Sequence, residues 1–327
     1  MLMTAVRRTV WGASRGAAVL ALALLISIAL GGLVTAIAAS NPPGRLVDIG
    51  GRKMNLVCAG PGQADGPLVV FEAGAFGLSA DFGAVQEGLT AKGVRSCAYD
   101  RAGLGRSDPG PNPRDSTAIV GDLEKLLAAS GETGPYLMVG HSMAGLHLRL
   151  FTARNRDQVA GLVLLDAAPP EAADLPVART WIGRFGTASH LAGAAATIGL
   201  FAPLGPTIGD RIGLPPAAAR EKRRAFASGR HNRWAAREVS LWIASSAQGK
   251  VVAPYDPDLP VGVVTAGPPR QGALSDWKRF QSEPARVSKT GFHVNIDDAG
   301  HADMLGLKHR DKIVDAILKV RAAGIQR

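Results

Sequence analysis

The sequence predicts an α/β protein with a mostly parallel sheet, and three observations carry that reading. Continuous apolar runs of strand length, such as Leu68–Phe71 and Val159–Leu165, read as strands covered on both faces. Between such runs lie segments of helical period, for example Ile119, Val120, Leu123, Leu126 and Leu127. Strands alternating with helices give a parallel sheet, which gathers chemistry at the carboxyl ends of its strands. The residues able to carry chemistry fall at such ends: Gly74, Asp100, Ser142, Asp166 and His301.

The first forty residues stand apart. Arg7, Arg8 and Arg15 precede an uncharged run from Gly16 to Pro43. Its apolar part, Ala17–Ala39, is about 23 residues, long enough to cross hydrocarbon at a rise of about 1.5 Å per residue. Positive charge ahead of the run places the N-terminus in the cytoplasm and the rest outside. Ala36-Ile37-Ala38 also fits the small-x-small rule of a cleaved signal peptide. Residues 1–40 are therefore expected to be a transmembrane helix or a signal peptide, and both readings export the remainder. The chain carries a formal charge of +10 over 327 residues, with basic residues scattered and few aromatics. That excludes a nucleic-acid site and leaves a surface charge compatible with an anionic membrane face.

The elements follow in order. Asn41-Pro42-Pro43-Gly44 is a linker, and strands Arg45–Ile49 and Lys53–Cys58 are joined through Gly50-Gly51 as a hairpin. Gly60 to Gly66 turns into the strand Leu68–Phe71, and Val94–Tyr99 is another strand. Ser116 is placed to cap a helix that ends at Gly131. The apolar run Tyr136–Gly140 leads to Ser142, then to Leu146, Leu148, Leu150 and Phe151 as the buried side of a helix. Val159–Leu165 ends at Asp166. From Ala167 to Pro260 alanine, proline and glycine become frequent and no strong strand appears; Asn232–Gln248 reads as one helix. Val261–Thr265 resumes the sheet, Phe292–Ile296 is its last strand, and a helix bearing Ile313, Val314, Ile317 and Leu318 closes the chain.

Strand, sharp turn and helix around Gly140-His141-Ser142-Met143-Ala144 put Ser142 at the apex of a strained bend. Its hydroxyl is pushed out of the sheet, and the Met143 N–H sits at a helix start, where it can face an oxyanion. A serine hydroxyl needs a base held by a carboxylate. Of the seven histidines, His301 alone follows the last strand through a short glycine-containing loop, Asp297-Asp298-Ala299-Gly300, and precedes the final helix. No clustered His/Cys/Asp spacing calls for a metal, and no cofactor is expected.

The Ser142 stretch resembles the nucleophile elbow G-x-S-x-G of the α/β-hydrolase superfamily, with Ala144 in place of the last glycine and Gly145 one position later. Tyr99-Asp100-Arg101-Ala102-Gly103-Leu104-Gly105-Arg106-Ser107-Asp108 resembles the loop after strand four in α/β-hydrolase fold-1 proteins. The resemblance covers about Gly44 to Ala322 and is weakest between Ala167 and Pro260. It implies an eight-stranded sheet and a core split into residues 41–166 and 261–327, with residues 167–260 as a helical lid inserted after strand six. It implies a serine after which a histidine follows in chain order, as Ser142 and His301 do. The acid usually follows strand seven, where Ala266-Gly267-Pro268-Pro269-Arg270 offers none. Asp166, at the end of strand six, and Asp276 are the two candidates, with Asp166 preferred because a strand end is a rigid mount. By position, the Ala75 N–H is the second oxyanion donor. Asp100, Arg101 and Asp108 are expected to be structural ion-pair partners. The family's neighbouring second and fourth strands would bring Cys58 and Cys97 together, either as a disulfide, which export permits, or as two small buried hydrophobes.

The implied activity is that of a carboxylesterase- or lipase-like serine hydrolase acting on a small-molecule or lipid-like ester, thioester or amide, with an apolar acyl group favoured by Trp181, Trp234 and Trp242 in the lid. An acyltransferase on the same scaffold and a non-catalytic binding protein remain as alternatives. A serine nucleophile argues against the dehalogenase and epoxide hydrolase chemistries that use aspartate in this fold.

Overall fold

The computed structural model describes residues 15–30, 43–62, 65–268 and 273–326. An eight-stranded sheet runs in the order β1-β2-β4-β3-β5-β6-β7-β8. β1 (Arg45–Asp48) and β2 (Lys53–Ala59) form an antiparallel hairpin. Its turn uses Gly50 and Gly51 at φ 99° and 85°, and Asp48 Oδ1 accepts from both amides. β2 is also antiparallel to β4 (Ser96–Tyr99), with Cys58 directly opposite Cys97, and the two sulfurs form a disulfide. β3 (Leu68–Glu72), β5 (Tyr136–His141), β6 (Val159–Leu165), β7 (Val261–Ala266) and β8 (Phe292–Ile296) continue in parallel.

The unbroken apolar runs are explained by two-sided cover. Val69 and Phe71 face a core shared with Val85 and Leu89 of α2 (Gly83–Ala91) and with Ile313, Val314 and Ile317 of α11 (Arg310–Ile325). Leu68 and Val70 face the opposite core, with Val120, Leu123 and Leu126 of α3 (Ser116–Ser130) and Leu148 and Phe151 of α4 (Ala144–Arg154). Each fully buried Leu, Ile, Val or Phe contributes about 1.5–3 kcal/mol of transfer free energy.

Two local expectations are corrected. Asp115, not Ser116, caps α3, accepting from the Ala118 amide at 3.0 Å. The capping geometry needs a residue in extended backbone, and Asp115 has it at ψ 179° while Ser116 is already helical. The single helix expected over Asn232–Gln248 is two, α8 (Gly229–Ser240) and α9 (Trp242–Lys250), broken at Leu241. The break lets Trp234 and Trp242 enter different clusters. With α5 (Pro176–Thr197), α6 (Gly205–Ile208) and α7 (Pro216–Ala227) they form a helical insertion between β6 and β7, and α10 (Ala273–Val287) lies between β7 and β8.

Residues 15–30 form a helix, α1. Among the described residues no helix is long and apolar enough to cross a membrane, so the expected transmembrane helix is not found there. The rest of that expected span, residues 31–39, the Ala36-Ile37-Ala38 motif, and Arg7 and Arg8 lie outside the described residues.

Candidate active site

Ser142 occupies the turn between β5 and α4 at φ 56°, a left-handed conformation that costs a non-glycine residue about 1–3 kcal/mol. Backbone bonds hold it there. Its amide donates to Leu165 O at 3.1 Å, and its carbonyl accepts from Ala168 N at 2.7 Å and Gly145 N at 3.1 Å. The missing fifth glycine also finds its reason. A Cβ on Gly145 would lie 2.5 Å from Ala168 O, whereas position 144 accommodates the buried methyl group of an alanine. The small residue is demanded one position later than the family pattern places it.

His301 emerges after β8 and reaches back to the turn. Ser142 Oγ donates to His301 Nε2 at 2.8 Å, and His301 Nδ1 donates to Asp166 Oδ2 at 2.6 Å, with the ring hydrogen on Nδ1. Asp166 sits at the end of β6 at φ 40°, its amide bonded to Val264 O at 2.7 Å. Its second oxygen accepts from Gln281 Nε2 at 3.1 Å, and the same amide group donates to Ala167 O at 3.1 Å. Burial pushes the Asp166 carboxyl up, but the His301 and Gln281 hydrogen bonds outweigh it and hold the group below the usual carboxylate range. Asp276, the other candidate acid, is in the first turn of α10 and faces Arg279 at 3.6 Å; among the described residues no hydrogen bond joins it to His301.

His141 lies beneath His301 and donates from Nε2 to the His301 carbonyl at 2.7 Å. Burial first, and the adjacent His301 second, push its imidazole down to about 3. It is therefore a neutral prop for the His301 backbone at neutral pH.

The segment after β3 crosses directly over the serine. A Cβ on Gly74 would lie 2.7 Å from Ser142 Cβ, so only glycine permits this approach. Among the described residues the amides of Ala75 and Met143 have no backbone acceptor. Phe76 follows at φ 56°. Its carbonyl accepts from Lys222 Nζ at 3.1 Å and from His231 Nε2 at 3.3 Å, both from the insertion. Arg101 holds the same segment from below. It donates to Ala73 O and, at 2.8 Å, to Gly74 O, while paired with buried Glu72 and with Glu238 of α8, each at 2.8 Å. The three residues expected to be structural partners are bonded, but not to one another. Asp100 accepts from the Ser79 and Arg106 amides, Asp108 accepts from the Lys53 amide, and Arg101 takes the two glutamates.

A cavity of about 570 Å³ opens beside Ser142, Asp166 and His301. Its walls are Ala75 from the core, Val177, Trp181 and Phe185 of α5, Trp242 of α9 and Trp277 of α10. Trp181 stacks on Phe185 at 5.0 Å and meets Trp242 edge-on at 5.7 Å. Sequence reasoning missed Gln281, Lys222, His231, Glu238 and Trp277 as parts of this neighbourhood. Each lies far along the chain from the residue it touches, and none belongs to a local motif. Among the described residues, the grouping with metal-compatible spacing is Cys58, Cys97 and Glu132, whose two sulfurs are already bonded to each other.

Sheet order, the left-handed serine between β5 and α4, and the family model for the alpha/beta hydrolase fold, which matches residues 67–188, make the chain an alpha/beta-hydrolase-fold protein. Among curated proteins it is similar to a probable transporter, efuK, of Hormonema carpetanum: 34% identical over 128 residues, which are 38% of this chain and 18% of that one. The chain spans less than half the length of the curated relatives it matches. Among solved structures it is similar to the Cif epoxide hydrolase of Acinetobacter nosocomialis, with TM-score 0.68, 15% identity, and 91% and 96% of the two chains covered. It is also similar to the enol-lactonase of Burkholderia xenovorans LB400, with TM-score 0.59, 16% identity, and 84% and 99% covered. At those identities the likeness is one of fold.

Proposed function

We propose that the protein is a serine hydrolase that cleaves an ester with an apolar acyl group through an acyl-enzyme. The observation that supports this best is the hydrogen-bonded chain Ser142–His301–Asp166 opening onto an aromatic-walled cavity. Ser142 Oγ attacks the ester carbonyl carbon while its proton passes to His301 Nε2. Asp166, held by Gln281, keeps the imidazole in the tautomer that can accept that proton and stabilises the imidazolium that results. The amides of Ala75 and Met143 donate to the oxyanion, each worth about 10²–10³ in kcat by analogy with other oxyanion donors. The tetrahedral adduct collapses, the alcohol leaves with the proton from His301, and the acyl group stays on Ser142. Water then gives its proton to His301, attacks the acyl carbon and releases the acid. Neighbours of this fold include a lactonase and an epoxide hydrolase, which supports hydrolysis as the class without choosing the substrate. A serine at the turn favours the acyl-enzyme route over attack by aspartate.

In this reading the insertion acts as a lid and Trp181, Phe185 and Trp242 form the acyl site. The Cys58–Cys97 disulfide supports an oxidising, extracytoplasmic location, in keeping with the apolar N-terminal segment. A panel of p-nitrophenyl esters of increasing acyl length tests the reading. Activity should rise with chain length until the cavity is filled, and Ser142→Ala should abolish it. Equal turnover by parent and variant would remove Ser142 from the mechanism.

A further inference from the structure

The insertion has an outer face that starts at the cavity mouth and runs well beyond it. Helix α5 carries Val177, Trp181 and Leu191 on one side and Ile198 follows at its C-cap, all exposed, with Trp181 at 50% and Leu191 and Ile198 at 68%. The stripe begins at the cavity mouth, where Val177 and Trp181 are wall residues. Past its other end, Leu204 and Ile208 extend the exposed apolar surface.

Two further features meet this face. The first is α1, whose Leu20, Leu22, Leu25 and Leu30 are exposed; a Cβ on Gly199 would lie 2.6 Å from Ile28, so α1 packs on the turn that follows Ile198. The second is charge. Residues 176–240 hold ten basic side chains and three acidic ones. Of the acids, Glu221 and Glu238 are buried in ion pairs with Arg106 and Arg101, and Asp210 is half-buried. The arginines at 179, 184, 211, 220, 223, 233 and 237 are exposed. Two of them flank the apolar residues: Arg233 donates to Thr197, beside Ile198, and the Arg223 backbone packs against Gly209, beside Ile208.

We propose that this face, α1 together with the outer side of α5–α8, docks onto a lipid bilayer bearing anionic headgroups. Apolar side chains enter the headgroup–acyl boundary, and the arginines pair with the phosphates around them. The α5 stripe then runs in the interface and ends at the cavity, so an amphiphilic ester can pass from the bilayer to Ser142. That last consequence rests on the hydrolase reading; the docking itself does not.

The test uses the full chain and floats it with vesicles of phosphatidylcholine alone or with phosphatidylglycerol added. The parent should float at least about tenfold better with anionic vesicles, and added salt should weaken it. The variant Leu191→Asp/Ile198→Asp/Arg223→Glu/Arg233→Glu touches no cavity residue. It should lose that preference and turn over a vesicle-borne long-chain ester about tenfold more slowly, with turnover of a soluble short-chain ester unchanged. A parent that floats equally with both vesicle types, or a variant that floats as the parent does, overturns the proposal. The salt dependence is read on the parent alone, so it stands even if the variant fails to fold. Flotation without any esterase activity would keep the docking face and remove the hydrolase reading.

Discussion

Ser142 lines the cavity and Phe76 directly follows Ala75, another of its walls; the two share the same left-handed φ of 56°, yet different parts of the molecule hold them. Around Ser142 the backbone bonds come from the end of β6, the residues just after it and the start of α4: Leu165 O, Ala168 N and Gly145 N. Around Phe76 the bonds come from Lys222 and His231 of the insertion, and Arg101 joins the residues before it to Glu238 of α8. Strain at Ser142 is thus met by backbone hydrogen bonds from the segments on either side of the turn. Strain at Phe76 is met by side chains of the insertion. Damage to the insertion should therefore reach the chemistry through Phe76 and Ala75 and leave the Ser142–His301 pair intact.

The largest effect expected on the sheet side comes from Asp166→Asn. It should lower kcat/KM by about 10³–10⁴, because the amide favours the wrong imidazole tautomer. Asp276→Asn, which breaks only an exposed contact with Arg279, should stay within about twofold. Steady-state kinetics on one ester decides between them, and the reverse ranking would move the acid to α10.

Gly74→Val sharpens the boundary between the two regions. Its side chain would collide with Ser142 Cβ, 2.7 Å from the first added carbon, and push the oxyanion-side segment away. A fall of about 10² in kcat is expected, with far-ultraviolet dichroism unchanged. Parental kcat would mean that the segment is not part of the reacting surface.

Lys222→Met acts from the insertion alone. It removes a donor to Phe76 O and leaves Asp81 buried without its 2.8 Å partner. The variant should lose about 1–3 kcal/mol of stability by chemical denaturation. Its kcat should fall about tenfold with KM little changed, and Lys222→Arg should recover most of kcat. Parental kcat alongside the stability loss would sever the link drawn between insertion and oxyanion side.

The smallest effect is one of pH. Burial pushes His231 from 6.5 down to about 3, so the folded chain keeps it neutral while the unfolded chain protonates it. Stability from this group is full above 6.5 and is lost as pH falls from there toward 3. The midpoint of thermal unfolding should drop over that window, more shallowly in His231→Gln. An equal slope in parent and variant would mean that His231 is not held neutral.

These contrasts also mark what the sequence could reveal. The meeting of Ser142 with His301 was legible because each end has a local signature: an apolar strand before a lone serine, and a glycine-closed loop before the last helix. Asp166 and Asp276 could not be separated that way, since both follow strands and the choice depends on which carboxylate the sheet aims at His301. The continuous apolar runs marked the central strands correctly, while the cap of α3 slipped by one residue because Asp115 and Ser116 are both good caps. The break at Leu241 left no mark, as no glycine or proline stands there. The Lys222, His231, Glu238 and Gln281 contacts link residues more than a hundred positions apart, and nothing in a linear pattern records such pairs.

The central claim is that His301 activates Ser142. Labelling with a fluorophosphonate probe, followed by mass spectrometry of the peptide containing Ser142, tests it most directly. The account predicts stoichiometric modification of Ser142 in the parent and a rate at least about 10³-fold slower in His301→Ala. An unmodified Ser142 in the folded parent, or equal rates in the two proteins, would contradict it.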